Sequence, residues 1–140
     1  MDEVLLFGTF EHTLDPKGRV TLPARYRELF QRGAILVCPP NDEPCVSVFH
    51  PGTWSRFDDK YFEPLDVFEN KTNAWRTRTT YMNNYEVEPD GQGRVLIPAP
   101  HIKRAGLSGK VTIIGVRNHL EIWDPDTLAE RLEQMESRDA

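Results

Sequence analysis

Two short segments of the chain carry an aspartate, a glycine and an arginine in the same order and at the same spacing. They are Asp15, Gly18 and Arg19 in the first segment, and Asp90, Gly93 and Arg94 in the second. An arginine beside a glycine-containing turn is projected with little crowding, and its planar guanidinium can bind a phosphate or the edge of a guanine through two hydrogen bonds. The aspartate can cap the turn and hold the arginine by an ion pair. We therefore predict DNA contacts for the two arginines. The alternative is that both pairs only shape their loops, since exposed ion pairs are common and individually weak.

Further basic residues surround the first of these segments. Lys17, Arg25 and Arg27 are expected to add contacts to the DNA backbone. The equivalent positions of the second segment hold the uncharged residues Gln92, Pro100 and Ile102. We therefore expect the first segment to dominate DNA contact and the second to support it or to contribute to assembly.

The net charge of −5 argues at first against a nucleic-acid partner, but the charge is unevenly distributed along the chain. Residues 12–39, 71–82 and 90–110 each sum to +3, whereas residues 40–70 and 121–140 each sum to −5. A chain of this kind can fold with one basic and one acidic face. The alternative, that the segments interleave in space and cancel, stays open on charge alone.

The remaining reactive residues form no recognisable catalytic or metal-binding pattern. The four histidines, His12, His50, His101 and His119, lack metal-site spacing, and no nucleophile elbow or phosphate-binding loop is present. Cys38 and Cys45 have neither redox nor zinc-knuckle spacing; a reduced pair is favoured, with a hairpin disulfide as the less favoured alternative. We expect no enzymatic activity, cofactor, metal or small-molecule substrate, and we expect the tryptophans to be core or interface anchors.

The start of the sequence and its hydropathy bear on where the protein works. No apolar run approaches the roughly 20 residues needed to span a bilayer, and residues 1–7 lack a basic region followed by a long apolar one. We therefore expect a cytoplasmic protein with no membrane contact.

The strongest internal signal is a repeat. Residues 15–24 align without gaps with residues 90–99, and residues 46–53 parallel residues 120–127, at offsets of 75 and 74. Two collinear matches at nearly one offset predict a tandem duplication. We expect a first unit over residues 5–80 with connecting helices, a second unit over residues 81–130, and a frayed tail over residues 131–140.

Each half shows the same order of predicted elements: strand, turn, strand, short helix, hairpin and helix. The strands are expected at 8–13, 19–22, 84–88 and 94–97, the short helices at 23–30 and 98–105, and the hairpins at 34–38 with 45–49 and 110–116 with 120–123. Asp15-Pro16-Lys17-Gly18 has the residue preferences of a type I turn. Apolar spacing predicts helix from Thr53, interrupted at Pro64 and continued over 73–82, and a surface helix over 126–136.

The paired Asp-x-x-x-Arg segments resemble the signature that MraZ proteins carry twice. Each is followed by valine, by Thr21-Leu22 or Leu96-Ile97, and by Pro-Ala. The opening Phe7-Gly8-Thr9-Phe10 and the segment from Gly115 to Asp124 are also similar to that family, so the resemblance covers roughly residues 5–130. It implies an α+β, mostly β fold: two tandem SpoVT/AbrB-like swapped-hairpin units forming a pseudo-dimeric β-barrel with peripheral helices.

The same resemblance implies a function and a partner. MraZ proteins assemble into homo-oligomeric rings, bind repeated boxes in promoter double-stranded DNA and regulate the division and cell-wall gene cluster, which implies association with the nucleoid. One ring face could present the basic loops while the acidic helices lie away from it. Two alternatives stay open: an AbrB- or MazE-like antitoxin, against which the duplication argues, and a role without nucleic acid, such as a small β-barrel enzyme or an acidic assembly protein.

Overall fold

The computed structural model describes residues 4–39 and 41–139 and has the predicted α+β, mostly β class. Its strands are β1 (Thr9–Thr13), β2 (Arg19–Thr21), β3 (Ala34–Val37), β4 (Val46–Phe49), β5 (Tyr85–Val87), β6 (Arg94–Leu96), β7 (Lys110–Gly115) and β8 (Leu120–Trp123). Its α-helices are α1 (Pro51–Tyr61), α2 (Lys71–Met82), α3 (Ala99–Ala105) and α4 (Pro125–Asp139). No helix in these ranges is both long and apolar enough to cross a membrane.

The strands form one six-stranded antiparallel sheet, in the order β1-β7-β8-β4-β3-β5, and a separate two-stranded ribbon of β2 and β6. The first strand of each half pairs with the hairpin of the other half, because β1 lies on β7 and β5 lies on β3. This exchange is the predicted swapped arrangement of two tandem units. The ladders of the described strands leave β1 and β5 as sheet edges, so hydrogen bonding does not close the expected barrel.

Exchanging the two halves of the chain leaves the strand pairing unchanged. Reading the sheet order backwards and swapping each strand for its repeat equivalent returns the same order. The register agrees as well: Val20 pairs with its own equivalent Val95, and Ser47 pairs with its own equivalent Glu121. A pseudo-twofold axis therefore passes through these two pairs, one in the ribbon and one in the centre of the sheet.

The ribbon and the sheet share one hydrophobic core. Val20 and Val95, from the ribbon, are fully buried and belong to the same cluster as the sheet residues Leu36, Ile113 and Ile122. Each such side chain contributes on the order of 1.5–3 kcal/mol by leaving water. Because strands alternate faces, burial of the two valines turns their ladder neighbours outward. The core thus fixes which face of the ribbon meets solvent.

The helices follow the predicted positions with shifted ends. His50 Nδ1 accepts a hydrogen bond from the Gly52 amide at the start of α1, and Asp124 accepts one from the Thr127 amide at the start of α4. The segment after Pro64 is turn, and α2 begins at Lys71 rather than Asn73. Residues 131–139, predicted as a tail, are the last part of α4; Ala140 lies outside the described residues.

The short helix of the first half differs from the prediction. Only Ala24–Tyr26 is helical, as a 3-10 turn. In the turns that follow, the Gln31 amide donates to the Glu28 carbonyl and the Gly33 amide donates to the Phe30 carbonyl. The second half forms the expected α3, which ends at Gly106 in the left-handed conformation. Tertiary contacts explain the difference, since Tyr26 is buried and its hydroxyl both donates to and accepts from the backbone of Phe7.

Candidate nucleic-acid interface

The two Asp-x-x-x-Arg loops have the same internal hydrogen bonds. In the first loop, Asp15 Oδ1 accepts from the amides of Lys17 and Arg19 at 2.9 and 2.8 Å, and Asp15 Oδ2 accepts from Arg19 Nε at 2.7 Å. The Gly18 amide donates to the Asp15 carbonyl at 2.9 Å, which closes the predicted turn. The carboxylate therefore both caps the turn and orients the arginine.

The second loop repeats this geometry. Asp90 Oδ1 accepts from the amides of Gln92 and Arg94, both at 2.9 Å, and Oδ2 accepts from Arg94 Nε at 2.7 Å. The Gly93 amide donates to the Asp90 carbonyl at 2.9 Å. The same geometry therefore forms with Pro16-Lys17 inside the first loop and with Gly91-Gln92 inside the second.

Backbone hydrogen bonds hold the aspartates ionised. The bond from the Arg19 amide is the largest cause that lowers the pKa of Asp15, and the Arg19 side chain and the Lys17 amide lower it further. The Arg94 amide has the same effect on the pKa of Asp90. Each loop therefore holds a carboxylate against its arginine at neutral pH, and Lys17 gives the first loop one positive charge more than the second.

The ion pairs leave part of each guanidinium for a ligand. In the described part of the chain, the side chains of Arg19 and Arg94 donate hydrogen bonds only from Nε. Their side chains are 28% and 29% exposed. The two Nη atoms of each group are the fork that binds a phosphate or a guanine edge.

The ribbon brings the two arginines onto one face. Arg19 pairs with Leu96 and Arg94 pairs with Thr21, while the buried valines occupy the opposite face. Diagonal neighbours on such a ladder lie roughly 7–8 Å apart. Leu96 is 57% exposed between the two arginines. Sequence reasoning missed Thr21 and Leu96, although strand alternation places them beside the arginines.

The loops are also joined across the pseudo-twofold axis. The Leu22 amide donates to the Gly93 carbonyl at 2.9 Å, and the Ile97 amide donates to the Gly18 carbonyl at 2.8 Å. Each loop is therefore held by the strand that follows the other loop. The two arginines belong to one rigid unit rather than to two independent turns.

Two further residues that were predicted to contact DNA make contacts within the protein. The Arg27 guanidinium donates to the Leu22 carbonyl from Nε and Nη2, at 3.3 and 3.2 Å, and its side chain packs on Gly93. Arg25 is exposed, and its guanidinium carbon lies 4.3 Å from the centre of the Phe7 ring. Arg19 and Arg94 thus lie on the ribbon, next to the loop that holds the exposed Lys17, while Arg25 lies against the N-terminal segment.

The other reactive side chains are built into the interior or into local bonds. Cys38 and Cys45 are free and buried, and burial raises the pKa of both thiols. His101 is buried and bonds the Asn83 carbonyl, and burial is the main cause that lowers its pKa. Within residues 4–39 and 41–139, no group of three or more histidine, cysteine or acidic side chains could hold a metal ion.

Comparison with known proteins agrees with the repeat. One family profile, described as "MraZ protein, putative antitoxin-like", matches residues 5–75 and 80–140. Curated relatives named "Transcriptional regulator MraZ" include those of Thermomicrobium roseum (31% identity over 92% of this chain and 88% of the relative) and Saccharopolyspora erythraea (34% over 94% and 90%). The relative of Paraburkholderia phytofirmans is 35% identical over 87% of this chain and 84% of its own length. The chain therefore belongs to the MraZ family.

Proposed function

We propose that this protein is a cytoplasmic, sequence-specific DNA-binding transcription regulator that binds repeated promoter boxes of the division and cell-wall gene cluster. The observation that supports this most is the pair of Asp-held arginines on one face of the β2–β6 ribbon. A two-stranded ribbon fits the major groove, where arginine forks read guanine. The names of the curated relatives support the same role.

The two ribbon residues between the arginines add a second kind of contact. Leu96 and Thr21 present methyl groups outward, and methyl-bearing side chains make apolar contact with the 5-methyl group of thymine. A ribbon face with arginine side chains at two corners and methyl groups at the other two is suited to a DNA site that contains both guanine and thymine. Lys17 and the loop amides then serve the phosphates, which position the protein without reading bases.

The acidic total charge is compatible with this role when several chains act together. We propose a homo-oligomeric ring whose ribbons face the DNA and whose acidic helices lie elsewhere, associated with the nucleoid. Each ribbon then needs only weak affinity, because linked contacts act at a high effective concentration when box spacing matches subunit spacing. Residues 5–80 and 81–130 would be the two halves of each DNA-binding unit.

The test is DNA binding by the wild type, Arg19→Ala and Arg94→Ala, measured by fluorescence anisotropy across a salt series. The probe is the promoter fragment upstream of the protein's own gene, and Lys60→Ala, on an exposed residue of α1, is the control. We expect steep salt dependence for the wild type and at least a tenfold loss for Arg19→Ala, with a smaller loss for Arg94→Ala.

Two results would count against this assignment. Full binding by Arg19→Ala together with Arg94→Ala would mean that both pairs only shape their loops. No binding by the wild type at low salt would reject the regulator function and favour the acidic assembly protein.

A further inference from the structure

One cavity of the protein lies on the face of the six-stranded sheet that points away from the ribbon. It has a volume of about 210 Å³ and is lined by residues of α1, β3, β4 and β8. Ser47 and Glu121, which pair across β4 and β8, line this cavity. Their strand neighbours Val48 and Ile122 belong to the core that the sheet shares with the ribbon. Because side chains alternate between the two faces of a strand, the cavity is separate from the DNA interface.

The α1 side of the cavity is aromatic. Trp54 and Phe57 of α1 line it and stack on each other, with ring centres 5.4 Å apart and 22° between the ring planes. Phe49 of β4 also lines the cavity, and its ring centre lies 5.3 Å from that of Trp54. The faces of aromatic rings attract cations, and tryptophan does so most strongly. This side therefore suits the apolar body of a ligand and a positive charge next to it.

The sheet side of the cavity holds a carboxylate with acceptor sites to spare. Glu121 Oε1 accepts a hydrogen bond from Trp123 Nε1, and Glu121 Oε2 accepts one from His119 Nε2, both at 3.0 Å. The Glu121 side chain is 19% exposed. Each carboxylate oxygen can accept about two hydrogen bonds. The two protein donors therefore fix the direction of the carboxylate and leave each oxygen able to accept a bond from a ligand.

The charge of the cavity lining favours a cation. Burial alone would raise the pKa of Glu121, but the hydrogen bonds from His119 and Trp123 outweigh burial and lower that pKa below its ordinary value. The carboxylate is therefore ionised at neutral pH. In the described part of the chain, no lysine or arginine lines the cavity. An ionised carboxylate beside aromatic rings attracts a positively charged ligand and repels an anion.

We infer that this cavity binds a small organic cation, whose ammonium group donates to Glu121 and whose apolar body lies against Trp54 and Phe57. A few polar groups that converge on an otherwise apolar wall are the usual composition of a small-molecule site. The volume is below the roughly 300–1,000 Å³ of sites for drug-sized molecules, so the ligand has one small ring or a short chain. Such binding goes beyond the proposed function and does not depend on the ribbon.

The site is expected once per chain because the two halves have diverged here. At the positions of Trp54 and Phe57, the second half has Leu128 and Arg131. Arg131 Nη1 lies 3.7 Å from Glu43 Oε2, so a cation of the protein itself stands where the first half has an aromatic ring. The repeat therefore does not form the same aromatic wall on α4.

The test is isothermal titration calorimetry with three ligands that share one ring and differ in charge: benzylammonium, benzyl alcohol and benzoate. The wild type should bind one benzylammonium per chain, about tenfold or more tightly than benzyl alcohol, and should not bind benzoate. Glu121→Gln should lower the benzylammonium affinity to that of benzyl alcohol. Unchanged binding of benzyl alcohol by this variant shows that its cavity is intact. The control Glu86→Gln, at an exposed residue of β5, should leave all three affinities unchanged.

Fluorine NMR of protein labelled with fluorotryptophan locates the bound ligand, because the chain has three tryptophans. Trp54 lines the cavity and Trp123 donates to Glu121, whereas Trp75 lies on α2. Benzylammonium should shift the signals of Trp54 and Trp123 and leave that of Trp75 unchanged. Signals are assigned with single Trp→Phe variants.

Several results would overturn this site. They are the absence of saturable benzylammonium binding by the wild type, an equal affinity for benzylammonium and benzyl alcohol or benzoate, and an unchanged benzylammonium affinity in Glu121→Gln. A shift confined to Trp75 would place the ligand outside the cavity and would overturn it as well. A wild type that binds benzylammonium but not promoter DNA would reject the regulator function and leave this site standing.

Discussion

The two loop glycines form a matched pair that tests how the loops are built. Gly18 and Gly93 have φ of +82° and +77°, a left-handed conformation that costs other residues roughly 1–2 kcal/mol. Their surroundings differ. A Cβ at Gly18 would meet its nearest atom, Ile102 Cδ1, at 3.5 Å, whereas a Cβ at Gly93 would overlap the Cδ and Nε atoms of Arg27. Both alanine variants should therefore carry the backbone strain, but only Gly93→Ala displaces a side chain.

The size of the difference follows from what Arg27 holds. Displacing its guanidinium breaks two hydrogen bonds to the Leu22 carbonyl, and hydrogen bonds to a charged group contribute on the order of 1.5–3 kcal/mol. Gly18→Ala should lower the free energy of unfolding by about 1–2 kcal/mol. Gly93→Ala should lower it by roughly 1.5–3 kcal/mol more, which at this chain length is a Tm difference on the order of 6–12 °C.

The assay is urea unfolding followed by tryptophan fluorescence, at one protein concentration because an oligomer's stability depends on it. The decisive control is Gly93→Ala in an Arg27→Ala background. There the clash is gone, and the cost of Gly93→Ala should fall to that of Gly18→Ala. Equal costs for the two single glycine variants, or an unchanged cost in the Arg27→Ala background, would refute this account of the second loop.

Two further predictions concern the ribbon and the centre of the sheet. Replacing thymine by uracil in the promoter fragment removes one methyl group per base, worth roughly 0.8 kcal/mol, and should weaken wild-type binding about fourfold per contacted base. Leu96→Ala should reduce this difference in affinity between the thymine and uracil fragments. An equal difference for both proteins would exclude Leu96 as a thymine contact. Burial favours the neutral form of Glu121, but hydrogen bonds from His119 and Trp123 outweigh it and lower the Glu121 pKa below its ordinary 4.5. Glu121 thus adds stability above pH 4.5 that is lost as pH falls through its folded pKa. When the urea midpoint of unfolding is measured against pH, Glu121→Gln should reduce the fall of the midpoint on the acid side. An unchanged fall would contradict this.

The sequence predicted the loops because they depend on local chemistry that the repeat displays twice, whereas the exchange of strands was expected only from the family resemblance. The order of aspartate, glycine and arginine fixes a turn whose bonds all lie within five residues. The order of elements and the duplication followed from turn signals and the repeated offset, and the class of fold followed from the family resemblance. The roles of the five basic residues as DNA contacts stay predictions: Lys17, Arg19, Arg25, Arg27 and Arg94.

Other features depend on contacts between distant parts of the chain and were not readable from one sequence. The first short helix became a 3-10 turn because the Tyr26 hydroxyl bonds the backbone at Phe7, 19 residues away. The packing of Arg27 on Gly93 joins the two halves, so no local pattern marks it. The outward position of Leu96 was accessible in principle from strand alternation, once the valines were assigned to the core.

Duplication within one chain has a physical consequence that a dimer of identical subunits lacks. Identical subunits related by a twofold axis must present the same surfaces twice, which favours contacts of a patch with itself. Here the pairing keeps the pseudo-twofold register, while the surfaces have diverged: Lys17 is replaced by Gln92, and the 3-10 turn Ala24–Tyr26 stands where the second half has α3. The two sides of each chain therefore differ, so that unlike sides of neighbouring copies can associate in the proposed oligomer. Copies joined head to tail in this way would present their ribbons in one orientation, which suits direct repeats in DNA rather than inverted ones.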